Sequence, residues 1–158
     1  MTALPTPGTV TGRRTVDAIG VTILTLSNGI QVWLKPTTFK NDQVLFTGYA
    51  KGGTSAVPEA EYRSAALMPA LVGAAGVGGH SAVDLGKLLS GQLASASLSV
   101  GPYTHGVSGG ATPKDLETAL QLLYLSFTAP NHDPEAFALL KRRLRPNLEN
   151  QAQSPGAV

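Results

Sequence analysis

Four features of this sequence have residue types that could do chemistry: three histidines, a G-x-S-x-G pattern, a glycine-rich run and a basic cluster. A metal site built on a helix needs two donors three or four residues apart, so that both reach the same ion. His80, His105 and His132 are far from one another, and no two of them have that spacing. They read as solvated side chains. "GVSGG" at 106–110 could present Ser108 as a nucleophile, with Asp115 and His132 following in a workable order. That motif belongs to a parallel sheet, however, and the turn signals described below point to an antiparallel one. Ser108 therefore reads as a small strand residue.

"GAAGVGGH" at 73–80 looks like a phosphate loop but has serine at 81, where G-x-G-x-x-G requires a third glycine; Gly86-Lys87 is followed by leucine and matches no P-loop. It reads as a turn that ends a helix. "KRRLRP" at 141–146 carries four cations, but at helical spacing Leu140 and Leu144 face inward and the cations spread over the outer face near a helix C-terminus, where the dipole favours them. A net charge of +2 is also too small to argue for nucleic acid. The chain has no cysteine, which removes disulfides and thiolate metal sites. No apolar run has the ~20 residues that would span a membrane.

The elements that would position these residues follow from local patterning. Residues 1–15 hold Pro5, Pro7, Gly8 and Gly12 with little apolar periodicity, and read as a linker or extended arm. "VTILTLSNGIQVWLKP" gives two strands around Asn28-Gly29, the strongest short hairpin signal, with both central residues expected at positive φ. "DQVLFTGYAKGG" gives a third strand. After Pro58, an apolar stretch from Tyr62 to Ala75 reads as the first long helix, with Pro69 near its centre.

A short helix follows from Ser81 to about Ser90, with Ser81 and Asp84 spaced as a capping box. "LASASLSV" and "YTHGVSGGA" form a second hairpin. Thr112-Pro113 and Asp133-Pro134 each announce a helix. The first of these helices is expected to bury Leu116, Leu120, Leu123 and Phe127, and the second Phe137, Leu140 and Leu144. The order is β-β-β-α-α-β-β-α-α, an α+β fold with helices packed on one face of an antiparallel sheet. The expected organisation is a linker over 1–15, one domain over 16–150 and a flexible tail over 151–158.

Taken together, these segments resemble the domain of the M16 pitrilysin/insulinase-type zinc metallopeptidases, over about residues 16–155. "LTLSNGIQVWLKP", "GGTSAVPE" and the run "GQLASASLSVGPYTHGVSGGATPKDLETALQLLYLSFTAP" carry the likeness. "GVGGHSAVDLGKLLSGQ" places it nearest the second-half domains of large bacterial members. Active members carry H-x-x-E-H on the first long helix. Laid over "AALMPA", that motif puts the first histidine at Ala66, the glutamate at Pro69 and the second histidine at Ala70. The third ligand, a glutamate on the last helix, falls near Asn147, with Glu149 close by but turned away.

The resemblance implies a domain without catalytic residues, metal or cofactor of its own, while zinc is expected in the catalytic domain of a parent metalloendopeptidase. Pro69 removes one backbone hydrogen bond and is expected to kink or split the first helix, at ~3 kcal/mol unless packing accommodates it. The expected partners are that catalytic domain, on the same polypeptide or on a partner subunit, and peptide substrate, with no nucleic acid and no membrane. The role would be to form part of the inactive half of a clamshell enclosing peptide. The alternative is a stand-alone interaction or assembly module that kept the fold. The compartment stays open; the periplasm would suit an exported bacterial parent.

Overall fold

The structure, a computed structural model, describes residues 7–152. The chain divides after Asp42 into two compact units.

The first unit is a three-stranded antiparallel meander of β1 (Val10–Val16), β2 (Val21–Leu26) and β3 (Gln31–Leu34), with β2 in the middle. Ile23 of β2 lies opposite Arg14 on one side and Trp33 on the other, and Val21 and Ile23 are buried. Alternation along β2 is what a half-buried strand requires. A single helical turn at Asp17–Ile19 joins β1 to β2 and closes on Gly20 at φ 61.

This unit departs from expectation in two ways. Residues 10–15, assigned above to the linker, form all but the last residue of β1; the expectation for residues 1–6 lies outside the described residues. The Asn28-Gly29 turn is also of a different type. Gly29 N–H donates to the Leu26 carbonyl (2.9 Å), Leu26 N–H donates to Ile30 (2.9 Å), and Gly29 alone has positive φ, at 84°. That pattern is a three-residue loop with a glycine bulge, so Asn28 keeps an ordinary backbone conformation.

The second unit holds its own sheet, in the order β4-β6-β5, with β6 (Thr104–Ala111) antiparallel to both β4 (Val44–Lys51) and β5 (Ala94–Val100). The single sheet expected from sequence is thus two three-stranded sheets. Helices α1 (Tyr62–Ala75) and α2 (Ala82–Leu88) lie between β4 and β5, and α3 (Leu116–Thr128) and α4 (Pro134–Ala152) follow β6. Helix α3 lies over β5 and β6, and α1 packs against β5 and α4. Along β5, Ala94, Ala96, Leu98 and Val100 are half-buried while the intervening serines are exposed. Apolar inward and polar outward is the pattern of a sheet covered on one face.

The central strand is glycine-rich because its neighbours approach closely. A Cβ on Gly109 would run into the Phe46 ring and the Ser95 backbone carbonyl. The helices that cover such a flat surface pack through small side chains. On α3, Ala119 is fully buried, whereas Leu120 and Phe127 remain 48% and 58% exposed. The expected inward face through Leu116, Leu120, Leu123 and Phe127 is therefore rotated toward Ala119.

On α4, Leu140 and Leu144 are half-buried as expected, but Phe137 is exposed beneath the Lys141 ammonium, 4.5 Å from its ring centroid. Caps appear where sequence placed them for two helices. Ser81 Oγ accepts from the Asp84 N–H (3.1 Å), and Asp133 Oδ1 accepts from the N–H groups of Glu135 (2.9 Å) and Ala136 (3.2 Å). Gln151 and Ala152, placed in the tail from sequence, end α4, and the rest of that expected tail lies outside the described residues.

Candidate functional site

Helix α1 is continuous from Tyr62 to Ala75, so Pro69 does not split it. Proline has no N–H to donate, which leaves the Ala65 carbonyl without its helical partner, and its ring crowds that carbonyl. One lost bond in a helix supported by β5 and α4 is tolerable. Helix α4 does the same at Pro146.

Below the C-terminal half of α1 lies a groove of about 550 Å³, wholly within the second unit. Pro69, Ala70 and Gly73 form one wall, Leu85 of α2 and Leu89 just beyond its end another, and Leu98 of β5 part of the floor. The polar side chains of its lining are serines, among them Ser126, whose hydroxyl already donates to the Leu122 carbonyl (2.8 Å). No titratable group lines it. Such a surface can accept apolar groups and can satisfy backbone polar groups, but it cannot move a proton.

Ala66 and Ala70 stand one helical turn apart, four residues along the same helix, and both are exposed. They present methyl groups, and Pro69 between them presents a saturated ring. None has a donor atom for zinc, so these residues do not fit the metal that the resemblance would bring to this helix. Asn147 is exposed on α4, and Glu149 is engaged by the Arg145 guanidinium, Nε to Oε1 at 3.3 Å. Among the described residues, no three histidine, aspartate or glutamate side chains lie together.

The remaining sequence candidates disperse. His80, His105 and His132 are all exposed, on the turn after α1, on β6 and before α4 respectively. Ser108 sits mid-strand on β6, opposite Thr47 and Ser97, rather than on a strand-to-helix turn. The strained elbow that exposes a nucleophilic serine is absent there.

Two residues that hold this site together have roles the sequence did not reveal. Asn131, on the segment between α3 and α4, secures the turn that follows α1. Its Nδ2 donates to the Ala75 and His80 carbonyls, its Oδ1 accepts from the Gly79 N–H (2.9 Å), and its own N–H donates to Gly76 (3.1 Å). Nothing local to Asn131 signals this, because the partners lie 51 to 56 residues away in sequence.

Asp115 is the second. It is buried at the start of α3, where its Oδ2 accepts from the Thr112 hydroxyl (2.6 Å) and the Leu93 N–H (3.0 Å), tying α3 to the residue before β5. The Thr112 hydroxyl foremost, then the Leu93 amide, holds the Asp115 carboxyl below its ordinary value; the Lys114 charge adds to this, and burial opposes it. The expected Thr112 cap is therefore made through a side chain rather than to a backbone N–H.

This arrangement has counterparts among known proteins. No family model matches the chain. A zinc protease PQQL-like protein of Arabidopsis thaliana is 40% identical over 124 residues, which is 78% of this chain and 10% of that protein. The crystal structure of the periplasmic protease PqqL from Escherichia coli superposes over 94% of this chain and 16% of its own, with a TM-score of 0.80 and 23% identity. The ferredoxin protease FusC, solved as a mutant in complex with Arabidopsis ferredoxin, matches over 98% of this chain and 17% of its own, with a TM-score of 0.83 and 24% identity.

The chain has the M16 metallopeptidase fold. A PqqL-like zinc protease is homologous to it over 78% of this chain's length. The expected α+β class, with antiparallel strands and covering helices, is the class observed. This M16-like chain spans about a tenth of its curated relative and about a sixth of each solved chain. No helix among the described residues is long and apolar enough to cross a membrane.

Proposed function

We propose that this chain is a non-catalytic part of an M16-type zinc metallopeptidase, serving in the half of a peptide-enclosing clamshell that holds no metal. One observation carries the reading: the positions that would hold histidine, glutamate and histidine are Ala66, Pro69 and Ala70, and two of them wall an apolar groove. Zinc and the proton-transfer chemistry would reside in a catalytic M16 domain elsewhere in the parent protein or on a partner subunit. The homology to a zinc protease supports that placement.

Substrate contact would fall to the groove and to β5, which lies at the edge of its sheet, where an extended peptide can add by backbone hydrogen bonds. FusC was solved with a protein, ferredoxin, bound, which supports protein or peptide as substrate of the parent. The periplasm is the compartment of PqqL and the one this reading carries for a bacterial parent.

A second reading, an assembly module without a role in proteolysis, is favoured by the exposed apolar stripe of Leu120, Tyr124 and Phe127 along α3. A partner docked there would cover it.

Restoring the missing groups tests the first reading. The chain carrying Ala66→His, Pro69→Glu and Ala70→His, with Asn147→Glu added, should gain a zinc site. The Asn147→Glu substitution should tighten binding measurably over the three helix substitutions alone. A folded variant whose zinc affinity is indifferent to residue 147 would show that these positions are not the counterparts of a metal site.

A further inference from the structure

Asn28 is followed by glycine; the other asparagines, Asn41, Asn131, Asn147 and Asn150, precede Asp42, His132, Leu148 and Gln151. Glycine leaves its own backbone nitrogen unhindered, and with no Cβ it samples conformations closed to other residues. Both residues are exposed, at the tip of the β2–β3 hairpin. The groups that would have to meet are nevertheless tied elsewhere. Gly29 N–H donates to Leu26, and Asn28 Oδ1 accepts from the Ile30 N–H at 3.1 Å. The next residue back is braced as well: Ser27 N–H donates to Thr9 at 2.8 Å, and Thr9 N–H donates to Ser27 Oγ at 3.2 Å.

We propose that Asn28 is a spontaneous deamidation site that the hairpin holds shut. When the tip opens, the Gly29 backbone nitrogen gives up its proton and attacks Asn28 Cγ. The new C–N bond closes a five-membered succinimide as the Cγ–Nδ2 bond breaks and ammonia departs. Water then opens the ring at either carbonyl, leaving aspartate or isoaspartate at position 28. Aspartate keeps an acceptor for the Ile30 N–H. Isoaspartate lengthens the backbone by one methylene and breaks the Leu26–Ile30 pairing that closes the hairpin.

The gate is local, so conversion follows the population of opened tips rather than simple exposure. The test is peptide mapping of the full chain held at mildly alkaline pH, in buffer and in guanidinium chloride, scoring aspartate and isoaspartate at position 28. Conversion in denaturant should exceed that in the native chain by about tenfold or more. Ser27→Ala, which removes the side-chain half of the Thr9 brace but leaves the reacting pair intact, should speed the native reaction severalfold, and Asn28→Gln should suppress it in both conditions. Equal rates with and without denaturant, a faster native rate, or no conversion in the unfolded chain would each overturn the proposal.

Discussion

The side-chain amide of Asn131 donates to the carbonyl of His80 at 2.8 Å, and the same nitrogen reaches the Ala75 carbonyl at 3.1 Å. One residue thereby fixes both ends of the glycine-rich turn that leaves α1. Helix C-termini expose carbonyls that need donors, and Asn131 supplies them from a distant segment. The turn can take its tight path because Gly76 has φ 82, and a Cβ there would strike the His80 carbonyl.

Asn131→Ala removes three side-chain hydrogen bonds from a half-buried position. With each contributing roughly 0.5–1.5 kcal/mol, it should lower unfolding stability by about 2–4 kcal/mol. Chemical denaturation reads this directly. A loss below about 0.5 kcal/mol would mean that water replaces the clamp without penalty.

Pro69→Ala should stabilise the chain. It restores the donor for the Ala65 carbonyl and relieves the ring's clash, an effect of ~3 kcal/mol in a helix interior. The greater freedom of the unfolded chain offsets about 0.4–1 kcal/mol of this. A net gain near 2 kcal/mol is expected by denaturant unfolding. A destabilised variant would indicate that the proline ring itself supports the groove wall.

Asp115 makes the stability of the chain depend on acid pH. Its carboxyl titrates lower in the folded state than the ordinary 3.8, so its ionised form is favoured by folding. The stabilisation is fully present above that ordinary value and is lost as pH falls through the lower, folded value. Asp115→Asn should be less stable than the parent near neutrality, and the gap should narrow as the solution is acidified through that range. A gap that stays constant across the acid limb of the stability profile would remove the charge from the explanation.

How much of this was legible depends on the range of each interaction. The β2–β3 hairpin and the Ser81 and Asp133 caps rest on contacts within a few residues, and sequence placed them. β1 escaped because "VTGRRTV" shows no apolar alternation; it is held by pairing to β2 rather than by burial of its own side chains. The inward face of α3 was misjudged because the sheet face it covers carries small residues at Ala94, Ala96, Gly109 and Ala111, which favours Ala119 over the larger Leu120 and Phe127. The continuity of α1 through Pro69 likewise depends on neighbours far away in sequence. Ala66, Pro69 and Ala70 could be named from the sequence only through a resemblance to a motif, since an absent histidine leaves no local trace.

Zinc content of the purified chain is the most direct measurement of the central claim, that α1 holds methyl groups and a proline ring where a metal site would need imidazoles and a carboxylate. Elemental analysis after equilibration with zinc and dialysis should find well under one ion per chain. One tightly held zinc per chain, lost on substitution of residues around Ala66 and Ala70, would contradict it.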